Sequence, residues 1–158
     1  MEYSIRRATP NDLETIVAHR RAMIREIRAC DENALEEMSN AFRGWLSTRL
    51  EGGEYLSWVA TAPDGFIAAG AGLWLLDWPP HILPSGIPGD RRAYLLNVFT
   101  EPTHRTRGLS RKLVQTALEW CHQQNIKTVS LHASKFGRPL YESLGFAPTN
   151  EMRISLEI

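Results

Sequence analysis

The sequence lacks net charge and has few of the residues that mark specialised classes of protein. Its 158 residues contain 18 Lys or Arg and 18 Asp or Glu, so no overall positive field would hold nucleic acid. Only two cysteines occur, Cys30 and Cys121, without the spacing of a metal site. We therefore expect two reduced core thiols, no bound metal and a cytoplasmic protein.

Long hydrophobic runs are also missing. The longest, over residues 66–76, is too short to span a bilayer, and residues 1–7 lack the apolar stretch of a secretory signal. We therefore expect neither a membrane nor a nucleic acid as partner. The length suits a single domain over residues 1–158, and the sequence leaves a homodimer open.

The hydrophobic patterns that are present predict an α+β domain built on a mostly antiparallel sheet. Helix starts are marked by Thr9-Pro10 and by Asp31, and Gly52-Gly53 ends the second helix. Predicted strands cover 3–8, 55–61, 66–76, 92–99 and 128–133, with terminal strands at 146 and 154–158. Predicted helices cover 13–27, 31–50, 109–124 and 138–144. The proline-containing segment 78–90 is predicted to be a loop.

The junction between the predicted strand 92–99 and the helix that follows breaks a local rule. A helix N-terminus carries a partial positive charge and favours acidic residues. This junction instead contains no acidic residue and four basic ones, namely Arg105, Arg107, Arg111 and Lys112. Free backbone N–H groups beside Gly108 would donate hydrogen bonds to an anion there, so we interpret 105–110 as a site for a phosphate-bearing ligand. The spaced glycines of P-loop and dinucleotide-binding motifs are absent.

The pattern Arg-x-x-Gly-x-Ser at 105–110 resembles the pyrophosphate loop, Arg/Gln-x-x-Gly-x-Gly/Ala, of the GNAT superfamily of acyl-CoA-dependent N-acyltransferases. Pro102 lies three residues before this loop, as is usual there, and Leu-Tyr-Glu-Ser-Leu-Gly-Phe at 140–146 is similar to the family's last-helix motif. The order of elements matches as well. The resemblance implies a GNAT-like mixed, mostly antiparallel sheet of six to seven strands, flanked by about four helices, with a splayed cleft between the fourth and fifth strands.

The implied activity is that of an N-acetyltransferase. It would move an acetyl group from acetyl-CoA to a primary amine of a small molecule or peptide by direct attack on the thioester. A non-catalytic acyl-CoA-binding sensor or interaction module is the alternative, because the fourth strand lacks the acid that would serve as a base. Both functions predict acetyl-CoA binding, and only the first predicts thiol release in the presence of an amine.

The resemblance also implies which residues bind the cofactor. The coenzyme A pyrophosphate would lie on the loop formed by Arg105, Thr106, Arg107, Gly108, Leu109 and Ser110. Arg107 and Arg111 share a helical face and would hold the 3′-phosphate. The pantetheine arm would pair with the backbone near Val98 and Thr100, and the Val98 N–H would hold the thioester oxygen. Ser134 replaces the cofactor-contacting Asn that is frequent at this position of the family.

Tyr141 and Asn97 are the side chains considered for chemistry. A thiol has a pKa of about 8.5 and a tyrosine of about 10, so a phenol can protonate the leaving thiolate. The tyrosine of the last-helix motif often does so in the resembled family, which makes Tyr141 the candidate acid; a packing role is the alternative. Asn97 lies in an apolar run and is either functional, a satisfied core amide or a bulge residue.

The general base and the acceptor site are less defined by the sequence. Candidates for the base are Tyr94, His132 and Glu101, and a water chain would need no dedicated residue. Acids that could attract a cationic amine, or form a solvated helix face, are Glu32, Glu36 and Glu37. Residues that could wall an acceptor pocket, or stiffen a surface loop, are Trp74, Trp78 and His81.

Overall fold

Five strands and four helices make up residues 2–156, the part of the chain that the computed structural model describes. The strands are β1 (Ser4–Arg7), β2 (Tyr55–Thr61), β3 (Ile67–Ile82), β4 (Pro88–Thr100) and β5 (Val129–Ser130). The helices are α1 (Leu13–Ile27), α2 (Glu32–Gly52), α3 (Leu109–Gln123) and α4 (Arg138–Ser143). Single 3-10 turns at Pro10–Asp12 and Pro102–His104 precede α1 and the loop before α3.

The strands form one sheet in the order β1-β2-β3-β4-β5, with helices on both faces. Strands β1 to β4 pair antiparallel, and β5 pairs parallel to β4 after the crossover through α3. Helices α1 and α2 cover one face through a cluster that includes Ile16, Phe42 and Leu46. Helix α3 covers the other face with Leu113 and Ala117. The predicted α+β class and the four helices are confirmed, whereas the sheet has five strands where six to seven were expected.

The predicted boundaries of α2 are confirmed by its capping interactions. The Asp31 carboxylate accepts a hydrogen bond from the backbone N–H of Ala34 at 2.7 Å, which fixes the start of α2. Gly53 ends the same helix in the left-handed conformation at φ 76°. These short-range interactions fix both ends of α2, one of the two helices that cover one face of the sheet.

The segment predicted as a loop at 78–90 is instead the tip of a long hairpin made by β3 and β4. Its turn lies at 83–87, where the backbone N–H of Leu83 donates to the carbonyl of Ile87 at 2.9 Å. The register shifts between Asp77 and His81, so Pro79 and Pro80 lie in the irregular part of the ladder. Proline is compatible with a strand at an edge or a bulge, where its missing N–H costs no ladder bond. The prolines therefore mark irregularities of a strand rather than its end.

The last predicted strands are shorter or not formed. β5 contains only Val129 and Ser130, because β4 turns away from it beyond Tyr94. Residues 146 and 154–156 form no strand, and 157–158 lie outside the described residues. Ile154 and Leu156 are exposed, so their alternating pattern finds no sheet edge within residues 2–156.

The two cysteines occupy different environments. Cys121 is buried in the cluster beneath α3, where desolvation raises its pKa to about 11. Cys30 is exposed between α1 and α2, so the prediction of a core thiol is wrong for this residue. Within residues 2–156, no helix combines the length and the apolar character needed to cross a membrane.

Candidate active site

A cleft opens where β4 diverges from β5. The two strands pair only at Ala93 and Tyr94, and just beyond this point β4 contains a bulge. Along this stretch three residue steps of β4 oppose two of β3, with Asn97 in the left-handed region at φ 54°. Asparagine tolerates that conformation better than most residues, and a bulge bends the strand that carries it. The bend leaves the cleft-facing edge of β4 without a strand partner over 95–100.

The residues predicted to bind the cofactor, together with Asn97, all line this cleft, which has a volume of about 1150 Å³. They are Asn97, Val98, Thr100, Arg105, Thr106, Arg107, Gly108, Leu109, Ser110, Arg111, Ser134 and Tyr141. Helix α1 contributes the remaining wall, with Arg20, Met23, Glu26 and Ile27. Among residues 2–156 no three His, Cys, Asp or Glu side chains come together as a metal-binding group.

The loop before α3 presents a row of free backbone donors. Within residues 2–156, no acceptor is hydrogen-bonded to the six consecutive N–H groups of 106–111, and the first bond of α3 runs from the Lys112 N–H to the Gly108 carbonyl. Thr106 and Gly108 have positive φ values of 62° and 74°, which turn successive N–H groups toward one side. Together with the dipole of α3, this arrangement favours an anion.

The side chains around the loop have more specific partners than its charge pattern suggests. The Arg105 guanidinium pairs with Glu26 of α1 at 2.6 Å and donates to the Thr100 carbonyl at 3.0 Å. Arg105 therefore fastens the loop to α1 and β4, and its charge is already matched. Its side chain therefore does not need an anionic ligand as a partner.

The remaining loop side chains divide into tethered and free ones. The Ser110 hydroxyl is hydrogen-bonded to the Thr100 hydroxyl at 2.9 Å, and Arg111 donates to the Ser143 hydroxyl of α4 at 2.8 Å. The Arg107 side chain makes no hydrogen bond or ion pair with any described residue. Of the three arginines at 105, 107 and 111, Arg107 is thus the one whose side-chain donors are all available to a ligand.

Ser134 closes the turn that leads into α4. Its hydroxyl accepts a hydrogen bond from the backbone N–H of Gly137 at 3.1 Å, and its carbonyl accepts one from the N–H of Arg138. A side chain at 137 would overlap the Tyr141 ring, so glycine is required for this close approach. The serine hydroxyl is therefore committed to the turn that positions Tyr141.

The Tyr141 phenol faces the cleft and has no hydrogen-bond partner among residues 2–156. Its ring packs edge-on against Phe146, and burial raises the pKa of the phenol above its usual value. The group therefore stays protonated at neutral pH and can donate a proton to a bound molecule.

The Asn97 side chain is held by two partners. Its amide oxygen accepts a hydrogen bond from Arg20 Nη1 at 2.7 Å, and its amide nitrogen donates to the Tyr55 hydroxyl at 2.8 Å. Tyr55 is fully buried, and desolvation raises its pKa to about 12. A methyl group on Gly72 would overlap this hydroxyl, so β3 requires a glycine at this position. Asn97 is thus both a satisfied core amide and a bulge residue.

Arg20 is a cleft residue that the sequence patterns did not single out. Its guanidinium lies over the Phe42 ring at 4.7 Å and lines the cleft, and burial lowers its pKa from the usual arginine value. Its Nε–H is shielded from solvent and has no acceptor. An unsatisfied buried donor costs about 1–3 kcal/mol. The sequence does indicate that Arg20 faces the protein interior, because its helical spacing places it in the apolar stripe of α1 between Val17 and Met23.

Tyr94 and His132 form a pair where the two strands separate. The Tyr94 hydroxyl is hydrogen-bonded to His132 Nδ1, and His132 Nε2 lies 4.0 Å from the Glu151 carboxylate. Both members of the pair line the cleft. Glu101 does not line it: its carboxylate lies 3.5 Å from the buried His19 ring. Of the three candidate bases, the structure therefore brings together Tyr94 and His132.

The residues considered for the acceptor site lie outside the cleft. Glu32 and Glu36 form ion pairs with Arg21 at 2.9 and 2.8 Å, so their charge is matched on the protein surface. Trp74 packs edge-on against Trp45, and Trp78 lies 3.7 Å from the Arg92 guanidinium. Neither these aromatic residues nor His81 and Glu37 are among the cleft-lining residues.

The comparisons with known proteins agree with this architecture. The family model described as the acetyltransferase (GNAT) family matches residues 21–146. A GCN5-related N-acetyltransferase from Ralstonia eutropha is 38% identical, with a TM-score of 0.89 over 98% of this chain and 99% of its own. A predicted acetyltransferase from Clostridium acetobutylicum, solved with acetyl-CoA, is 27% identical, with a TM-score of 0.81 over 98% and 97% of the two chains.

Other comparisons add less. Glucosamine-6-phosphate N-acetyltransferase from Arabidopsis thaliana shares the fold at 18% identity, with a TM-score of 0.64 over 99% of this chain and 100% of its own. No curated protein matches the sequence. On the family model and the Ralstonia relative, the chain belongs to the acetyltransferase (GNAT) family and is a GNAT-type N-acetyltransferase.

Proposed function

We propose that the protein transfers the acetyl group of acetyl-CoA to a primary amine of a small molecule or peptide by direct attack on the thioester. One observation carries the proposal: a single cleft contains both a row of six free N–H donors and an unbonded phenol. The first suits a pyrophosphate and the second suits a leaving thiolate. The Clostridium relative, whose structure contains acetyl-CoA, supports the choice of donor.

In this proposal the cofactor lies along the open edge of β4. The N–H groups of 106–111 bind the pyrophosphate, and the free Arg107 guanidinium is available for the 3′-phosphate. The pantetheine arm pairs with β4 beyond the bulge, where the Val98 N–H holds the thioester oxygen as negative charge develops on it. Asn97 acts as a positioning residue, because its side chain fixes the bulge from which Val98 follows.

The chemical step forms a C–N bond and breaks a C–S bond. The free amine attacks the thioester carbon, and the tetrahedral intermediate collapses with loss of the coenzyme A thiolate. Tyr141 donates its proton to that sulfur and is reprotonated from solvent. The proton lost by the amine passes to the pair of Tyr94 and His132, directly or through water, and from there to solvent.

A His132→Gln variant is expected to lower kcat/KM for the amine about 10- to 100-fold, because a neutral amide accepts a proton poorly. The acidic limb of its kcat/KM profile against pH should change shape, and the dissociation constant of coenzyme A should not change. Tyr94→Phe, which keeps the imidazole and removes its partner, should give the same change with smaller amplitude. If the unsubstituted protein, His132→Gln and Tyr94→Phe gave superimposable pH profiles, water alone would remove the proton from the amine.

The proposed function is tested by thiol release with a panel of primary amines, peptides and aminoglycosides. At least one acceptor should release free coenzyme A from acetyl-CoA at a rate above that of buffer, and the acetylated amine should appear in equal amount. The alternative, an acyl-CoA-binding module, predicts acetyl-CoA binding by calorimetry without release for any acceptor. A protein that binds no acetyl-CoA contradicts both.

A further inference from the structure

Arg20 has no acidic partner, which distinguishes it from its neighbours on α1. Arg21 and Arg25 pair with Glu32 at 2.9 Å, and across the cleft Arg105 pairs with Glu26. Within residues 2–156 no carboxylate lies within ion-pair distance of Arg20, and its one hydrogen bond goes to the neutral amide of Asn97. A positive charge in a partly buried wall of the cleft therefore has no counter-charge from the protein.

Most hydrogen-bond donors of the Arg20 guanidinium have no acceptor. A guanidinium has five N–H donors, and here only Nη1 has an acceptor. Nε lacks an acceptor and is shielded from solvent, whereas Nη2 forms no hydrogen bond with any described residue. The aromatic ring of Phe42 beneath the guanidinium holds it in place without using these donors. Because Nε is shielded, a ligand in the cleft can reach this guanidinium only through its Nη groups, and Nη2 has its N–H donors unused.

We infer that Arg20 forms a carboxylate subsite and that the acceptor is a primary amine which also carries a carboxylate, as in an amino acid. This inference rests on the proposed function, since it assigns the substrate class of the same cleft. Bound there, the carboxylate would supply the missing counter-charge and an acceptor for Nη2. Glu26, the acidic residue of this wall, is already paired with Arg105 at 2.6 Å, so it is not free to attract an amine instead.

A carboxylate fits this wall better than a phosphate. The Lys and Arg residues that line the cleft are Arg20, Arg105, Arg107 and Arg111, and the last three all belong to the loop and start of α3. Arg20 is thus the single Lys or Arg of its wall and has no row of free N–H groups beside it. One guanidinium matches a planar monoanion, whereas a phosphate dianion is usually held by several cations or N–H donors.

The test compares amino acids with their carboxamides as acceptors in the thiol-release assay. The unsubstituted protein should prefer the carboxylate in kcat/KM, and Arg20→Gln should reduce that preference by about 10- to 100-fold, mainly through KM. Glutamine can still donate to Asn97, and coenzyme A binding checks that this variant is folded. Because a carboxamide also alters the basicity of the amine, the preference of each variant is divided by that of the unsubstituted protein.

Arg49→Met is the matched control. Arg49 also lies over an aromatic ring, Trp45 at 4.4 Å, and its Nε also lacks a hydrogen bond, but it is 3.7 Å from Glu54 and outside the cleft. This variant should keep the full preference for carboxylates. Loss of the preference in both variants, or its survival in Arg20→Gln, would overturn the inference. So would an Arg20-dependent preference for O-phosphoethanolamine over every carboxylate tested.

Calorimetry on the coenzyme A complex separates this inference from the proposed activity. If no amine releases thiol but amino acids bind more tightly than their carboxamides, and only when Arg20 is present, the carboxylate subsite stands and the catalytic proposal fails. If acetyl-CoA releases thiol equally well with amino acids and with carboxamides as acceptors, the catalytic proposal stands and the subsite is refuted. Absence of any amino acid binding and any preference in turnover also refutes the subsite.

Discussion

The Gly108→Asp variant is expected to bind acetyl-CoA at least about 100-fold more weakly than the unsubstituted protein. The new carboxylate would stand among the six free N–H groups of 106–111 and occupy them as an internal anion. Each charge-assisted hydrogen bond contributes about 1.5–3 kcal/mol, so losing two of them to the pyrophosphate corresponds to about 100-fold or more in affinity. Calorimetric titration with acetyl-CoA measures the effect directly.

Gly86→Asp is the matched control for this variant. Gly108 and Gly86 have φ values of 74° and 79°, and a Cβ at either position would have no other atom within 4 Å. Both substitutions therefore impose the same backbone strain and the same charge, but Gly86 lies at the tip of the β3–β4 hairpin, outside the cleft. Equal affinities in the two variants would mean that the loop does not bind the pyrophosphate.

The loop could be predicted from the sequence because its function depends on the backbone. A glycine, a helix start and the absence of acids are all encoded within a few residues, and free N–H groups follow from the geometry of any helix start. The same holds for the caps at Asp31 and Gly53. Rules of this kind need no knowledge of what lies across the molecule.

The partners of the charged side chains could not be predicted in this way. Arg105 meets Glu26 across 79 positions of sequence, and Arg20 meets Asn97 across 77. Both contacts join α1 to the β4 side of the cleft and exist only once the sheet has formed. For this reason the sequence could not show that the Arg105 side chain is paired within the protein.

Two polar interruptions of apolar patterns indicate a contact in the core, and the pattern rules used only the one at Asn97. Arg20 interrupts the apolar stripe of α1, and Asn97 interrupts the apolar run of β4. A polar residue at a core position needs a partner, and here each supplies part of what the other needs. Matching these two interruptions as partners would have predicted that Arg20 contacts Asn97 and lies at the cleft. By contrast, the prolines at 79 and 80 led to a wrong prediction of a loop, because an edge strand or a bulge also tolerates proline.

The Tyr141→Phe variant is expected to lower kcat about 10²- to 10⁴-fold, because it removes the proposed proton donor to the leaving thiolate. The dissociation constant of acetyl-CoA should stay nearly the same, since the ring remains in the cleft. The free energy of unfolding should also be unchanged, because the phenol has no hydrogen-bond partner among residues 2–156 that its removal would leave unsatisfied. Stopped-flow thiol release, calorimetry and denaturant titration give the three quantities.

The dependence on the leaving group separates an acid from a packing residue. A thioester whose thiol is more acidic than that of coenzyme A needs less help from a proton donor, so the ratio of kcat between the two proteins should shrink with such a donor. Burial raises the pKa of the phenol, so the activity that depends on its proton should persist above pH 10 and be lost only as pH rises through that raised pKa. Tyr141→Phe should lack this alkaline limb. An unchanged kcat, or a loss independent of the leaving thiol, would make Tyr141 a packing residue.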